Sequence, residues 1–260
     1  MRRIQLIVEY DGTNYAGWQR QENALAVQQV LEEKLSKLTR ERVVLHGASR
    51  TDAGVHAMGQ SAHFDTNCSI PAEKFSFAVN TMLPPDVRVR LSRQVPESFH
   101  ARFSTKGKRY RYLYQVSPHS SPLNRLTHAH IIYPLDTEKM AEEARSLLGT
   151  HDFAAFAASG SVVKDTVRRI DRAELNRDGE ELKLVVEGNG FLYNMVRIIA
   201  GTLVGVGCGK IEPGAFRRAI ESGNRLDLGV TAPANGLTLM EVFYDPEDLS
   251  AEMPIRREEP

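Results

Sequence analysis

A chain of 260 residues, 42% hydrophobic and 25% charged, can bury a sizeable core as one large domain or two small ones, which excludes a disordered protein. Lys plus Arg and Asp plus Glu both number 33, so overall basicity is absent and any nucleic-acid contact must rest on a local strip. Two cysteines, Cys68 and Cys208, exclude a disulfide framework and a four-thiolate zinc site. No apolar run reaches a membrane span, and the opening ten residues, broken by Gln5 and Glu9, are unlike a secretory signal. A reduced, cytoplasmic protein without membrane contact is expected.

Arg3 to Tyr10 reads as a strand, followed by a turn at Asp11-Gly12-Thr13-Asn14. An amphipathic helix comes next, with Asn23 as its cap and Val27, Leu31, Leu35 and Leu38 along one face. Arg42 to Leu45 is apolar and β-branched and reads as a strand; Ser61 to Phe64 alternates and ends another. Pro71 opens a helix with Phe75, Ala78, Val79 and Met82 on its apolar side, Leu83-Pro84-Pro85 stops it, and Val87 to Val95 is a strand. The order is βαββαβ, the pattern of ferredoxin-like domains.

That order recurs without obvious sequence identity. Arg109 to Gln115 alternates as a strand, with Tyr110, Tyr112 and Tyr114 on one side, and Thr137 to Leu148 is helical. Thr166 to Asn176 and Glu181 to Glu187 are strands joined near Asp178-Gly179, a hairpin signal. Phe191 to Val206 is a largely buried helix, Pro213 to Ser222 a shorter inserted one, and Leu237 to Phe243 the closing strand. The expected fold is α+β, with two ferredoxin-like βαββαβ halves over residues 1–104 and 105–245, mainly antiparallel sheets, and an acidic tail over 246–260. The groove between the halves is the expected substrate site.

Chemistry concentrates in Gly47-Ala48-Ser49-Arg50-Thr51-Asp52-Ala53-Gly54-Val55-His56-Ala57, a connection between two strands that carries a carboxylate and a guanidinium. Gly47 and Gly54 permit conformations or close approaches that a side chain would obstruct. By residue type alone, Asp52 reads first as a residue that closes its own turn. Thr51 stands where a nucleophile elbow needs its second glycine, so a serine hydrolase is set aside. His46, His56 and His63 match no metal-ligand spacing with Asp52, and no metal is expected. Gly205 to Lys210 follows a helix and has Ile211 where a phosphate loop needs Ser or Thr, so it reads as a helix terminus. Arg102, Lys106, Lys108, Arg109 and Arg111 interleave with Phe103 and Tyr110 without an acid, which suits a phosphate-holding strip or a charged strand edge.

A set of motifs extends these readings. Tyr10-Asp11-Gly12-Thr13, Gly17-Trp18-Gln19, the Asp52 stretch, Phe99-His100-Ala101-Arg102-Phe103-Ser104, His151-Asp152-Phe153, Gly190-Phe191-Leu192-Tyr193-Asn194-Met195-Val196-Arg197 and Ala232-Pro233-Ala234-Asn235-Gly236-Leu237 occur in this order. Together they resemble the bacterial tRNA pseudouridine synthases of the TruA family over nearly all of residues 1 to 244. The resemblance implies a pseudouridine synthase fold whose halves flank a central RNA-binding cleft. It implies a homodimer, working without a cofactor, that converts uridine to pseudouridine at positions 38, 39 and 40 of the tRNA anticodon stem-loop.

By the same resemblance Asp52 aligns with the catalytic aspartate, Arg197 with its ion-pair partner, and Tyr110 with the tyrosine against the target base, where it steers removal of the C5 proton. Arg50 aligns with the arginine that fills the space of a flipped nucleotide. Arg102, Lys106, Lys108, Arg109 and His56 are expected RNA contacts. Taken without the resemblance, Arg197 is a helix-surface arginine, Tyr110 a core aromatic and Arg50 a phosphate contact. Two features depart from the family pattern: Ala155 and Ala157 flank Phe156 where more polar residues often stand, and the tail beyond Tyr244 is not shared. The rival readings are a non-catalytic RNA-binding module and a metal-dependent hydrolase.

Overall fold

The computed structural model describes residues 1–157 and 165–250, so part of the expected acidic tail, 251–260, lies outside the described residues. The first half runs through strand β1 (Arg2–Tyr10), helix α1 (Val27–Thr39), the two-residue β2 (His46–Gly47), β3 (His56–Thr66), α2 (Phe75–Asn80) and β4 (Val87–Val95). The second runs through β5 (Gly107–Val116), the short β6 (Ala129–Ile131), α3 (Thr137–Arg145), β7 (Gly149–Asp152), β8 (Val167–Asp178), β9 (Glu181–Gly188), α4 (Met195–Gly207), α5 (Ala215–Ser222) and β10 (Leu237–Phe243), before a final turn of helix, α6 (Pro246–Leu249).

All the strands among the described residues belong to one sheet in the order β4-β1-β3-β10-β5-β9-β8-β7, with β2 also on β3 and β6 on β5. The first half is thus ordered β4-β1-β3-β2 and the second β10-β5-β9-β8, the same arrangement twice. Each is the split βαβ order that the alternation predicts. Most pairs are antiparallel; the parallel ones are β5 with β6 and the seam itself, where Thr238 and Leu239 of β10 lie beside His56 and Ala57 of β3. One core runs across that seam, from Leu6, Leu31 and Phe64 to Leu184, Ile199 and Leu203.

The strand expected over Arg42 to Leu45 does not form. Its backbone groups are taken by side chains of α1: Val43 N–H donates to Ser36 Oγ at 3.0 Å, Leu45 N–H to Glu32 Oε1 at 3.0 Å, and Gln28 Nε2 donates to the Leu45 carbonyl at 3.1 Å. With those groups satisfied, no ladder is needed. Only His46 and Gly47 pair with β3, opposite His63 and Ala62. Beyond Ala48 the chain leaves β3, and the buried Gln60 amide replaces the ladder, accepting from Ser49 N–H at 3.2 Å and donating to Ser49 O at 2.6 Å. β10 occupies the rest of that edge, and a cleft opens where the two diverge.

Three helix ends also differ from expectation. Asn23 does not cap α1; the first N–H groups, of Val27 and Gln28, donate to the carbonyls of Gly17 and Trp18, so backbone does the work of a capping side chain. α3 stops at Arg145 because Ser146, Leu147 and Leu148 tighten into bonds to the third residue back. α4 begins at Met195, after Asn194 at φ +62, a left-handed conformation that Asn tolerates, and Phe191 to Tyr193 stay outside the helix. Among the described residues, no helix is long and apolar enough to cross a membrane.

Candidate active site

The Asp52 loop is held from several sides. Tyr10 Oη and Thr51 Oγ1 share a 2.7 Å hydrogen bond, Trp18 N–H donates to Thr51 O at 3.1 Å, and Val55 N–H closes the turn on Asp52 O at 3.1 Å. Gly54 sits at φ +78, and a Cβ on Gly47 would meet Trp18 Nε1 at 2.2 Å, so both glycines serve geometry. Trp18 is buried packing. The Asp52 carboxylate does not close its own turn: among the described residues its one polar partner is Arg197, whose Nη1 lies 3.2 Å from Oδ2.

Arg197 arrives from the first turn of α4, and its guanidinium is fixed on three sides. Nε donates to Ala232 O at 2.8 Å, and Nη1 donates to Asn194 Oδ1 at 2.9 Å as well as to Asp52. The left-handed Asn194 therefore both starts the helix and braces the arginine. The Asp52 and Arg197 side chains are only 16% and 18% exposed. Burial pushes the Asp52 carboxyl above the ordinary carboxylate range, and the Arg197 charge opposes that rise without cancelling it.

Tyr110, from β5, is buried with its ring edge-on to Phe191 at 5.2 Å. Burial pushes its hydroxyl up to about 12, and the Asp52 charge acts in the same sense, so the phenol is neutral at physiological pH. Asp52, Arg50, Tyr110, Phe191 and Asn194 line one cleft of about 710 Å³ at the seam between the halves, together with Arg102 and Lys108.

The basic strip is split by strand alternation. Lys108 and Tyr110 face the cleft, whereas Arg109 points away and is held by Glu187 at 2.7 Å and Glu241 at 3.0 Å. Lys106 pairs with Asp245 at 2.8 Å. Neither residue lines the cleft, which departs from the expectation of a continuous strip. Half-buried Lys108 props the loop by donating from Nζ to Ala48 O at 2.9 Å, and burial, with the Arg102 and Arg168 charges, lowers its ammonium to about 8. His56 is also placed elsewhere. It is buried, accepts from Gly12 N–H on Nδ1 at 3.0 Å and donates from Nε2 to Leu126 O at 2.8 Å, a strut beneath the loop. Arg50 and Arg102 are exposed and lack a carboxylate partner among the described residues.

Sequence reasoning assigned no role to Gln60 or Asn194, which hold the loop and the arginine. Neither is marked by its local sequence: Gln60 stands between Gly59 and Ser61, and Asn194 falls within the helix expected over Phe191 to Val206. Among the described residues, no group of three His, Cys, Asp or Glu side chains is arranged to hold a metal ion.

A duplicated α+β sheet with a carboxylate–guanidinium pair and an aromatic wall lining a cleft at its seam is an arrangement able to support carboxylate chemistry on a bound substrate. The family model described as tRNA pseudouridine synthase matches residues 6–104 and 144–245. A tRNA pseudouridine synthase A of Acetivibrio thermocellus is 52% identical over 244 residues, 94% of this chain and 100% of that protein. Proteins of the same name from Ruminiclostridium cellulolyticum and Bacillus pumilus are 50% and 46% identical, covering 94% of this chain and 100% and 99% of theirs. The chain belongs to the tRNA pseudouridine synthase family, isomerases that convert uridine to pseudouridine.

Proposed function

We propose that the protein isomerises uridine at positions 38, 39 and 40 of the tRNA anticodon stem-loop, as a cytoplasmic homodimer, with Asp52 as the nucleophile. The pairing of Asp52 with Arg197 at 3.2 Å inside the cleft carries this reading. The reaction breaks the C1′–N1 bond, turns the uracil and joins C5 to C1′, with the C5 proton lost and N1 protonated, so no electrons enter or leave. A carboxylate suits the first step, attacking C1′ as the glycosidic electron pair leaves on N1, or adding to uracil C6. Arg197 orients Asp52 and counters its protonation through a charge-assisted hydrogen bond. Tyr110 packs against the uracil; being neutral, its hydroxyl passes the C5 proton on rather than storing charge. Arg50 fills the space left by the extruded nucleotide. The division at residues 104 and 105 then separates the half bearing Asp52 from the half bearing Tyr110 and Arg197.

The test is tritium release from tRNA labelled at uridine C5, with the product mapped by position. Wild type is expected to release label from 38, 39 and 40; release from another arm would overturn the assignment. Native mass spectrometry of the same preparation is expected to find the dimer, and monomer alone at micromolar protein would refute it.

The split strip gives a second prediction. Arg50→Ala and Arg102→Ala are expected to weaken tRNA binding and each to lower the slope of log affinity against log salt by about 1, measured from about 50 to 200 mM salt. Arg109→Ala should leave that slope unchanged, because its charge is already neutralised by Glu187 and Glu241. An equal loss in all three would mean that RNA reaches the outer face of β5.

A further inference from the structure

The motif Phe99 to Ser104 contributes Arg102 to the cleft but leaves its exposed aromatic side chain without a role. Phe103 is 77% exposed, yet it is held rather than loose. Its ring lies 4.3 Å from that of His100, centroid to centroid, tilted by 34°. His100 Nδ1 accepts from the N–H groups of Arg102 at 3.1 Å and Phe103 at 3.3 Å, and Ser104 Oγ accepts from His100 N–H at 3.1 Å, so the turn carrying both rings is pinned by its own hydrogen bonds. Behind His100 stand His63, at 4.7 Å, and His46, stacked on His63 at 5.0 Å. Burial pushes His63 down to about 3, so its ring packs as an uncharged aromatic, and burial lowers His100 as well.

The column ends in the cleft already described: His46, His100, Arg102 and Phe103 line it alongside Asp52 and Tyr110. Tyr110 is buried at the floor, whereas Phe103 presents an open face at the rim. A rigid apolar ring facing water is a surface made to be covered, and nucleobases cover such rings by stacking, with little regard to sequence. The neighbouring Arg102 has no carboxylate partner among the described residues and is free to meet a phosphate.

We propose that Phe103, backed by His100, is a second stacking platform, which holds an unpaired base next to the target uridine while Arg102 takes the adjoining phosphate. The proposal rests on the tRNA-modifying reading of the same cleft and names how the substrate strand is held beyond the reacting base.

Phe103→Ala and Phe103→Leu are expected to raise KM for tRNA about 10- to 100-fold, the loss of one base stack, with the single-turnover rate at saturating tRNA within about 2-fold of wild type. Phe103→Trp should keep KM near wild type. Trp18, the one tryptophan of the sequence, is buried but lines the same cleft, so the emission of the Phe103→Trp protein minus that of wild type reports on the rim, and saturating tRNA is expected to quench that difference. An unchanged KM for Phe103→Ala, a Phe103→Leu protein as good as wild type, or emission unmoved while pseudouridine accumulates would each overturn the proposal. Failure of wild type to convert any uridine would instead refute the wider reading, and the quenching titration would still decide whether Phe103 stacks on RNA.

Discussion

Asp52→Asn is expected to lower pseudouridine formation by about four orders of magnitude or more, the usual consequence of deleting a nucleophile, and to leave thermal stability unchanged or higher. The activity loss follows from the chemistry, because an amide neither attacks C1′ or C6 nor stabilises positive charge on the sugar. The stability follows from the sign of the shift on Asp52. Its folded-state pKa lies above the unfolded value because burial outweighs Arg197. Ionising the carboxylate in the folded protein therefore costs stability, and the cost appears as pH rises through the folded pKa. A neutral isostere avoids it, while Arg197 keeps its bonds to Ala232 and Asn194. Tritium release with thermal unfolding at neutral pH measures both quantities on one preparation. An active Asp52→Asn protein would remove Asp52 from the mechanism. An inactive protein that has also lost several degrees would show that the carboxylate supports the fold, and the stability argument would fail.

Much of the fold was legible because its strands obey simple alternation and its helices bury one stripe. β1, β4, β5, β8, β9 and β10 all lie where period-two patterning put them, within two residues at either end. The exceptions are places where a side chain substitutes for backbone. Glu32, Gln28 and Ser36 satisfy the segment before β2, so an apolar stretch that looks like a strand never needs one. The identity of the strand beside β3 was equally hidden. β10 comes from the far end of the chain, and no local pattern announces that seam.

The site divides along the same line. Asp52 and Arg50 stand in a turn-rich stretch that concentrates ionisable groups, whereas Tyr110 by residue type reads as a core aromatic and only the motif set marks it. Arg109 and Lys106 look identical to Lys108 in sequence, and their separation depends on which face of β5 each takes and on Glu187, Glu241 and Asp245 waiting there. Arg197 is the hardest case, since an arginine in a buried helix reads as a snorkelling side chain until the partner 145 residues away is known.

That partner makes Arg197→Met the sharper test of how the pair works. Removing the guanidinium leaves Asp52 in its desolvated position with no opposing charge, so its pKa is expected to rise further. The acid limb of the kcat/KM profile for tRNA should then move to higher pH, with an activity loss of about 100- to 1000-fold at neutral pH. Stability should fall by about 2 to 3 kcal/mol at neutral pH, somewhat less than for a fully buried pair because both side chains keep some exposure. The sign of its pH dependence discriminates. With the folded pKa raised, the variant loses stability as pH rises and recovers part of it under mildly acidic conditions, where Asp52 takes up a proton. Arg197→Lys restores a charge but not the three-sided bracing by Ala232, Asn194 and Asp52. It should return the acid limb toward its wild-type position while recovering only part of the rate. If Arg197→Met kept the wild-type profile and merely unfolded earlier, Arg197 would be a structural tie between α4 and the Ala232 segment, and the ionisation of Asp52 would depend on the bound RNA instead.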